Sequence, residues 1–107
     1  MEFFFFSSGA NNGELWGYIF RGSGGTDPIK LFDFEGRKIV KITSTDTGTG
    51  SSSSGMDLTV ALETGEIYMF TVNNSHFATG VTPKWQSTTR LGKIVDMRYE
   101  GWANEAI

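Results

Sequence analysis

The chain states one supersecondary pattern twice. From Gly25 the segment G-T-D-P-I-K-L-F-D-F-E-G-R-K-I-V-K-I is followed 55 positions later, from Gly80, by G-V-T-P-K-W-Q-S-T-T-R-L-G-K-I-V-D-M. Gly25/Gly80, Pro28/Pro83, Lys38/Lys93, Ile39/Ile94 and Val40/Val95 coincide at that one offset, and Pro28 and Pro83 are the only 2 prolines. A second echo sets N-G-E-L-W-G-Y at 12–18 against T-G-E-I-Y-M-F at 64–70, at an offset of 52, so an indel of three residues separates the two anchors. Repetition at this period marks an array in which each unit buries its faces against its neighbours.

The local pattern inside each copy reads as strand. No segment keeps apolar residues at helical spacing through a full window, whereas short β-rich runs bounded by Gly, Asn, Ser and Thr recur throughout. The first copy offers strands over 2–7, 14–20, 29–34 and 38–44, and the second over 57–63, 66–73, 81–87 and 93–98. Leu58, Val60 and Leu62 alternate with polar or small residues and so share one face. Gly65, in E-T-G-E, supplies the conformation a tight hairpin needs, and its counterpart over 7–13 is a longer loop that absorbs the indel. The tract T-D-T-G-T-G-S-S-S-S-G at 45–55 has too little apolar surface to order itself and reads as a flexible connector.

The expected fold is therefore all-β: two four-stranded antiparallel blades at 1–44 and 56–98, the connector between them, and an orphan strand at 99–107. The alternative is a small β-sandwich or barrel made by stacking the two sheets face to face. With 15 aromatic residues in a chain of 107, large rings dominate the packing.

Composition excludes several function classes. A net charge of −3 with 9 scattered basic residues leaves no footprint for a phosphate backbone, so nucleic acid is not an expected partner. With no cysteine there are no disulfides, thiolate metal sites or cysteine nucleophiles. The start M-E-F-F-F-F-S-S lacks a basic n-region and is too short to span a bilayer. It reads as a strand, with no membrane partner expected and a cytoplasmic setting compatible.

The order strand, Gly-turn, strand with G-E-hydrophobic-aromatic, glycine loop, Pro-led strand and K-I-V resembles the repeats of the regulator of chromosome condensation family. The resemblance is carried by L-T-V-A-L-E-T-G-E-I-Y-M-F at 58–70, preceded by G-R-K-I-V-K-I at 36–42. It departs from that pattern at Thr71, where the family has glycine, and at Met56-Asp57, where its histidine is missing. F-F-F-F at 3–6, N-G-E-L-W at 12–16 and the Gly101-Trp102 pair are also similar to the tachylectin type of sugar-binding propeller. Both resemblances imply a β-propeller of four-stranded blades. Two blades cannot close a ring, so the expectation is self-association through open blade edges into six or eight blades, the strand at 102–107 completing the next subunit's sheet.

Candidate site residues are few, and each has a plainer structural role open to it. His76 lies in a loop with no carboxylate at metal spacing, which suits a surface histidine better than a ligand. The acidic pairs Glu63/Glu66, Asp27/Asp33 and Glu100/Glu105 look like solvated turn and edge residues, so no catalytic residue, metal or cofactor is expected. The glycine clusters lack a following G-K-[ST] and are turns. Asn73-Asn74-Ser75 has the form of a glycosylation acceptor.

Phe3 to Phe6 are expected in the core. Trp85, Tyr99 and Trp102 sit beside loops and polar residues, where an indole can anchor a protein or stack on a sugar. The sequence thus points to a non-catalytic protein–protein interaction module presenting Trp85, Trp102, Tyr99, Asn73, Asn74 and His76. The alternatives are a carbohydrate-binding lectin whose repeated sites act by multivalency and a small acidic inhibitor of a larger enzyme.

Overall fold

The computed structural model describes residues 2–21, 24–25, 27–46, 56–73, 75–87 and 92–97. Their secondary structure is almost entirely β: β1 (Glu2–Ser8), β2 (Glu14–Arg21), β3 (Gly24–Gly25), β4 (Ile29–Asp33), β5 (Ile39–Asp46), β6 (Met56–Leu62), β7 (Ile67–Val72) and β8 (Trp85–Gln86). One helical turn, α1 (His76–Thr79), lies between β7 and β8, and a 3-10 turn (Ala10–Asn12) joins β1 to β2. All pairings among the described residues are antiparallel.

Two four-stranded sheets result. In sheet A, β2 pairs with β1 from Glu14 to Phe20 and with β3 and β4 on the other side. Sheet B runs β5-β6-β7-β8. No pairing among the described residues joins the sheets, so they do not close into the barrel that the sequence left open as an alternative.

The boundary between units falls one strand earlier than the repeat suggests. Residues 38–44 were expected to finish the first blade, yet β5 pairs with β6 from Ile39↔Leu62 to Asp46↔Met56. Of the strand expected at 93–98, residues 93–97 form no strand and Arg98 lies outside the described residues, while β5 supplies the fourth strand of sheet B. The physical reason is that a tandem repeat is cyclic. Cutting it before or after the K-I-V strand leaves the same sequence periodicity, and only edge pairing decides. The expected strand over 81–87 shortens to Trp85–Gln86 because α1 and Gly80, at φ 78°, turn the chain first. Residues 45–46 of the expected connector belong to β5, while 47–55 and the orphan strand at 99–107 lie outside the described residues.

The core forms between the sheets. Sheet B contributes Leu58, Val60 and Leu62 from β6 and Tyr68, Phe70 and Val72 from β7, all buried. Sheet A contributes Leu15 and Leu31, and Phe34 follows β4, with Phe5, Ile29 and Phe32 packed at the margin. Phe32, Phe34, Tyr68 and Phe70 interlock, mostly edge to face, with centroids 4.8 to 6.5 Å apart. α1 adds Phe77, whose ring sits over Gly17: a Cβ there would lie 2.9 Å from it and 2.7 Å from Leu31.

Candidate functional site

The most informative geometry is which faces of the two sheets meet. The hydrogen-bond registers and the 52-residue echo define equivalent positions: Trp16, Tyr18 and Phe20 on β2 match Tyr68, Phe70 and Val72 on β7. Their cross-strand neighbours on β1, Phe6, Phe4 and Glu2, match Val60, Leu58 and Met56 on β6. In sheet B this face is buried against sheet A. In sheet A the equivalent face looks outward, and the opposite face, carrying Phe5, Leu15 and Ile29, is the one that meets sheet B. The sheets therefore stack front to back, with like faces pointing the same way. A two-fold face-to-face sandwich would bury the same face twice.

Front-to-back stacking leaves one unmatched face at each end. On sheet A, Phe4, Phe6 and Phe20 remain 49%, 39% and 43% exposed although their equivalents Leu58, Val60 and Val72 are fully buried. Phe4 leans on Tyr18 at 6.0 Å and Phe6 stacks on Trp16 at 6.5 Å, two ring pairs on the face that Phe20, opposite Glu2, also shares. The expected core role of Phe3 to Phe6 thus holds for one side only, since Phe3 and Phe5 face inward. On sheet B, Trp85 pairs with Met69 on the outward face and is 50% exposed. Ile29, paired with Gly17, holds the equivalent place in sheet A and packs at the core.

The G-E-hydrophobic-aromatic motif has a local cause. Residues i and i+2 on a strand share a face, and in both copies the glutamate meets the aromatic. Trp16 Nε1 donates to Glu14 Oε1 at 2.9 Å. Tyr68 Oη lies 3.4 Å from Glu66 Oε2, and Arg37, from the β4–β5 turn, donates to both at 3.1 and 2.8 Å. Arg37 Nε also donates to the Phe34 carbonyl at 2.8 Å, and the guanidinium lies near the Phe34 and Tyr68 rings. Burial works against the Arg37 charge, but the hydrogen bonds to Tyr68 and Glu66 outweigh it and raise its pKa above the usual arginine value. The cluster staples the β4–β5 turn to the β6–β7 hairpin.

Asn73 and His76 turn inward on their own loop. The Asn73 amide donates to His76 Nδ1 at 3.0 Å and the His76 amide donates to the Asn73 carbonyl at 3.1 Å. Asn73 Oδ1 accepts from the Ser75 amide and hydroxyl at 3.1 and 2.6 Å. Both residues thus brace the entry to α1, so that Phe77 reaches Gly17. Asn74, Tyr99 and Trp102 lie outside the described residues. Of the three sequence candidates among the described residues, Trp85, Asn73 and His76, Trp85 alone lies on an open sheet face, and the patch on sheet A was missed. The signal that finds it is the offset between β1 and β6, which sets phenylalanines where buried Leu58 and Val60 stand. Among the described residues no group of three or more His, Cys, Asp or Glu could hold a metal ion.

Compared with family models, curated proteins and solved structures, the chain matches none.

Proposed function

We propose that the chain is a non-catalytic protein–protein interaction module built of propeller-like repeats. One observation carries the reading: Phe4, Phe6, Trp16, Tyr18 and Phe20 form an open aromatic face whose counterpart in the same molecule is a buried packing surface. A contiguous apolar patch on a small protein marks a contact surface, and aromatic side chains dominate the energetics of such contacts. A rigid β scaffold presenting it loses little entropy on association.

A lectin reading has one observation in its favour. The half-exposed indole of Trp85 shares the outward face of sheet B with Asp57 and Thr71, and Lys84 Nζ lies 3.2 Å from Asp57 Oδ1. An aromatic plane beside fixed polar groups suits a sugar ring.

Replacing Phe6 by photoreactive p-benzoylphenylalanine tests the first reading, because irradiation joins the probe to whatever covers the patch. A protein adduct is expected. Absence of any protein adduct, together with saturable quenching of tryptophan fluorescence by a monosaccharide that disappears in Trp85→Phe, would replace the interaction module with the lectin.

A further inference from the structure

We propose that the partner on the aromatic face is a second copy of this chain, docked head to tail. The inference rests on the interaction-module reading and names its occupant. Sheet B already shows what covers a face of this kind, because the inner face of sheet A lies on Leu58, Val60, Tyr68, Phe70 and Val72. The surface equivalent to that inner face is the outward face of sheet B, where Trp85 takes the place of Ile29 and Met69 that of Gly17. One chain therefore carries both positions of that contact, at opposite ends, the outward face of sheet B being the more polar, with Asp57, Thr59 and Thr71 where the inner face of sheet A has Phe3, Phe5 and Ile19. Sheet B of one copy lies on sheet A of the next as sheet A lies on sheet B within the chain.

The open edge agrees with the open face. β1 pairs only with β2 among the described residues, and its run F-F-F-F-S-S has neither the proline nor the lysine that usually protects an edge strand. In sheet B the matching edge of β6 is covered by β5. The repeat partner of β5 is residues 93–97, which in the isolated chain rest against β5 through a Lys41–Asp96 ion pair at 3.1 Å. Transferring the β5–β6 register by the repeat sets Met97 of one copy opposite Phe6 of the next, as Ile42 stands opposite Val60.

The distribution of exposed apolar side chains supports the same contact. The large hydrophobic residues exposed among the described residues are Phe4, Phe6, Phe20, Trp85 and Val95, the last at 81%. The first three lie on the receiving face, Trp85 on the donating face, and Val95 on the segment that would cover the edge. Because the two contact surfaces differ, the association is heterologous and ends only by closing a ring. With two blades per chain, roughly three or four copies complete a propeller of six or eight blades.

Three samples at tens of micromolar, followed by sedimentation velocity, test this: the wild-type chain, F4E/F6E and W85E. The altered side chains are exposed, and far-UV circular dichroism checks that each variant is folded. Should either variant misfold, F20K replaces the first and V95E the second. A particle of three or four chains is expected for the wild type and a single chain for each variant. An equal mixture of the two variants is expected to form a two-chain particle and stop, since F4E/F6E keeps the donating face and W85E the receiving one. A monomeric wild type overturns the proposal, as does a monomeric F4E/F6E beside a W85E that keeps the wild-type mass, the result of two-fold pairing through the phenylalanine face. A monomer whose Phe6 probe captures a different protein overturns the second copy while leaving the interaction module standing.

Discussion

Gly13 and Arg37 show how single residues seat the β4–β5 turn. Gly13 lies so close to the β4–β5 turn that a Cβ on it would fall 2.8 Å from Gly36 Cα, against backbone that cannot move aside as a flexible side chain would. Gly13→Ala is expected to cost about 1–3 kcal/mol, the range of an overpacked core, read as a lower urea midpoint at unchanged slope. Its φ of −94° suits any residue, so the loss comes from space and not from backbone strain. Arg37 acts across the same turn. Removing its guanidinium leaves the Glu66 carboxylate, 15% exposed, without the ion pair at 2.8 Å. Arg37→Met is expected to cost about 1–3 kcal/mol after allowance for partial solvent screening, and Arg37→Met/Glu66→Gln to recover part of it. Equal losses in the single and double variants would show that the cluster contributes only packing.

At the scale of elements, the sequence revealed strand positions well and sheet membership poorly. Alternation alone located the face of β6 that carries Leu58, Val60 and Leu62, and Gly65, at φ 98°, makes the turn expected of it. Assigning β5 was not a matter of propensity: K-I-V-K-I forms the same strand whichever sheet claims it, and hydrogen bonding to β6 is a long-range fact. α1 was illegible because four residues hold no helical period. Asn73 and His76 looked like binding candidates because polar loop residues do, whereas their partners lie within the loop itself. The aromatic face was legible only by comparing the copies, since four phenylalanines in a row carry no alternation of their own.

The segment at 93–97 yields a pH prediction. The backbone amide of Met97, and then the Lys41 ammonium, hold Asp96 below the usual aspartate value. Only the Lys41 share of that lowering bears on docking, because the Met97 amide belongs to the segment itself; as an exposed pair it adds little, present above the unfolded value of about 3.9 and lost as pH falls through the lower folded value. In the monomeric F4E/F6E chain the Asp96 carboxyl is expected to titrate below about 3.9 by NMR. Lys41→Met is expected to raise that midpoint part of the way, since the Met97 amide remains. An unchanged midpoint would mean that the ion pair does not hold the segment.

For the whole molecule, the decisive property is that two equivalent sheets are stacked front to back. Such a pair cannot satisfy itself, because the face buried in sheet B is the face left open in sheet A. Burying Phe4, Phe6 and Phe20 would each remove on the order of 60–120 Å² from water, or roughly 1.5–3 kcal/mol apiece, enough to favour association once repeated around a ring. Native mass spectrometry of the 107-residue chain tests this most directly. A dominant particle of three or four times 11.8 kDa is expected, with F4E/F6E at one chain. A wild-type chain that stays at 11.8 kDa at tens of micromolar would contradict the front-to-back stack as the building block of a closed assembly.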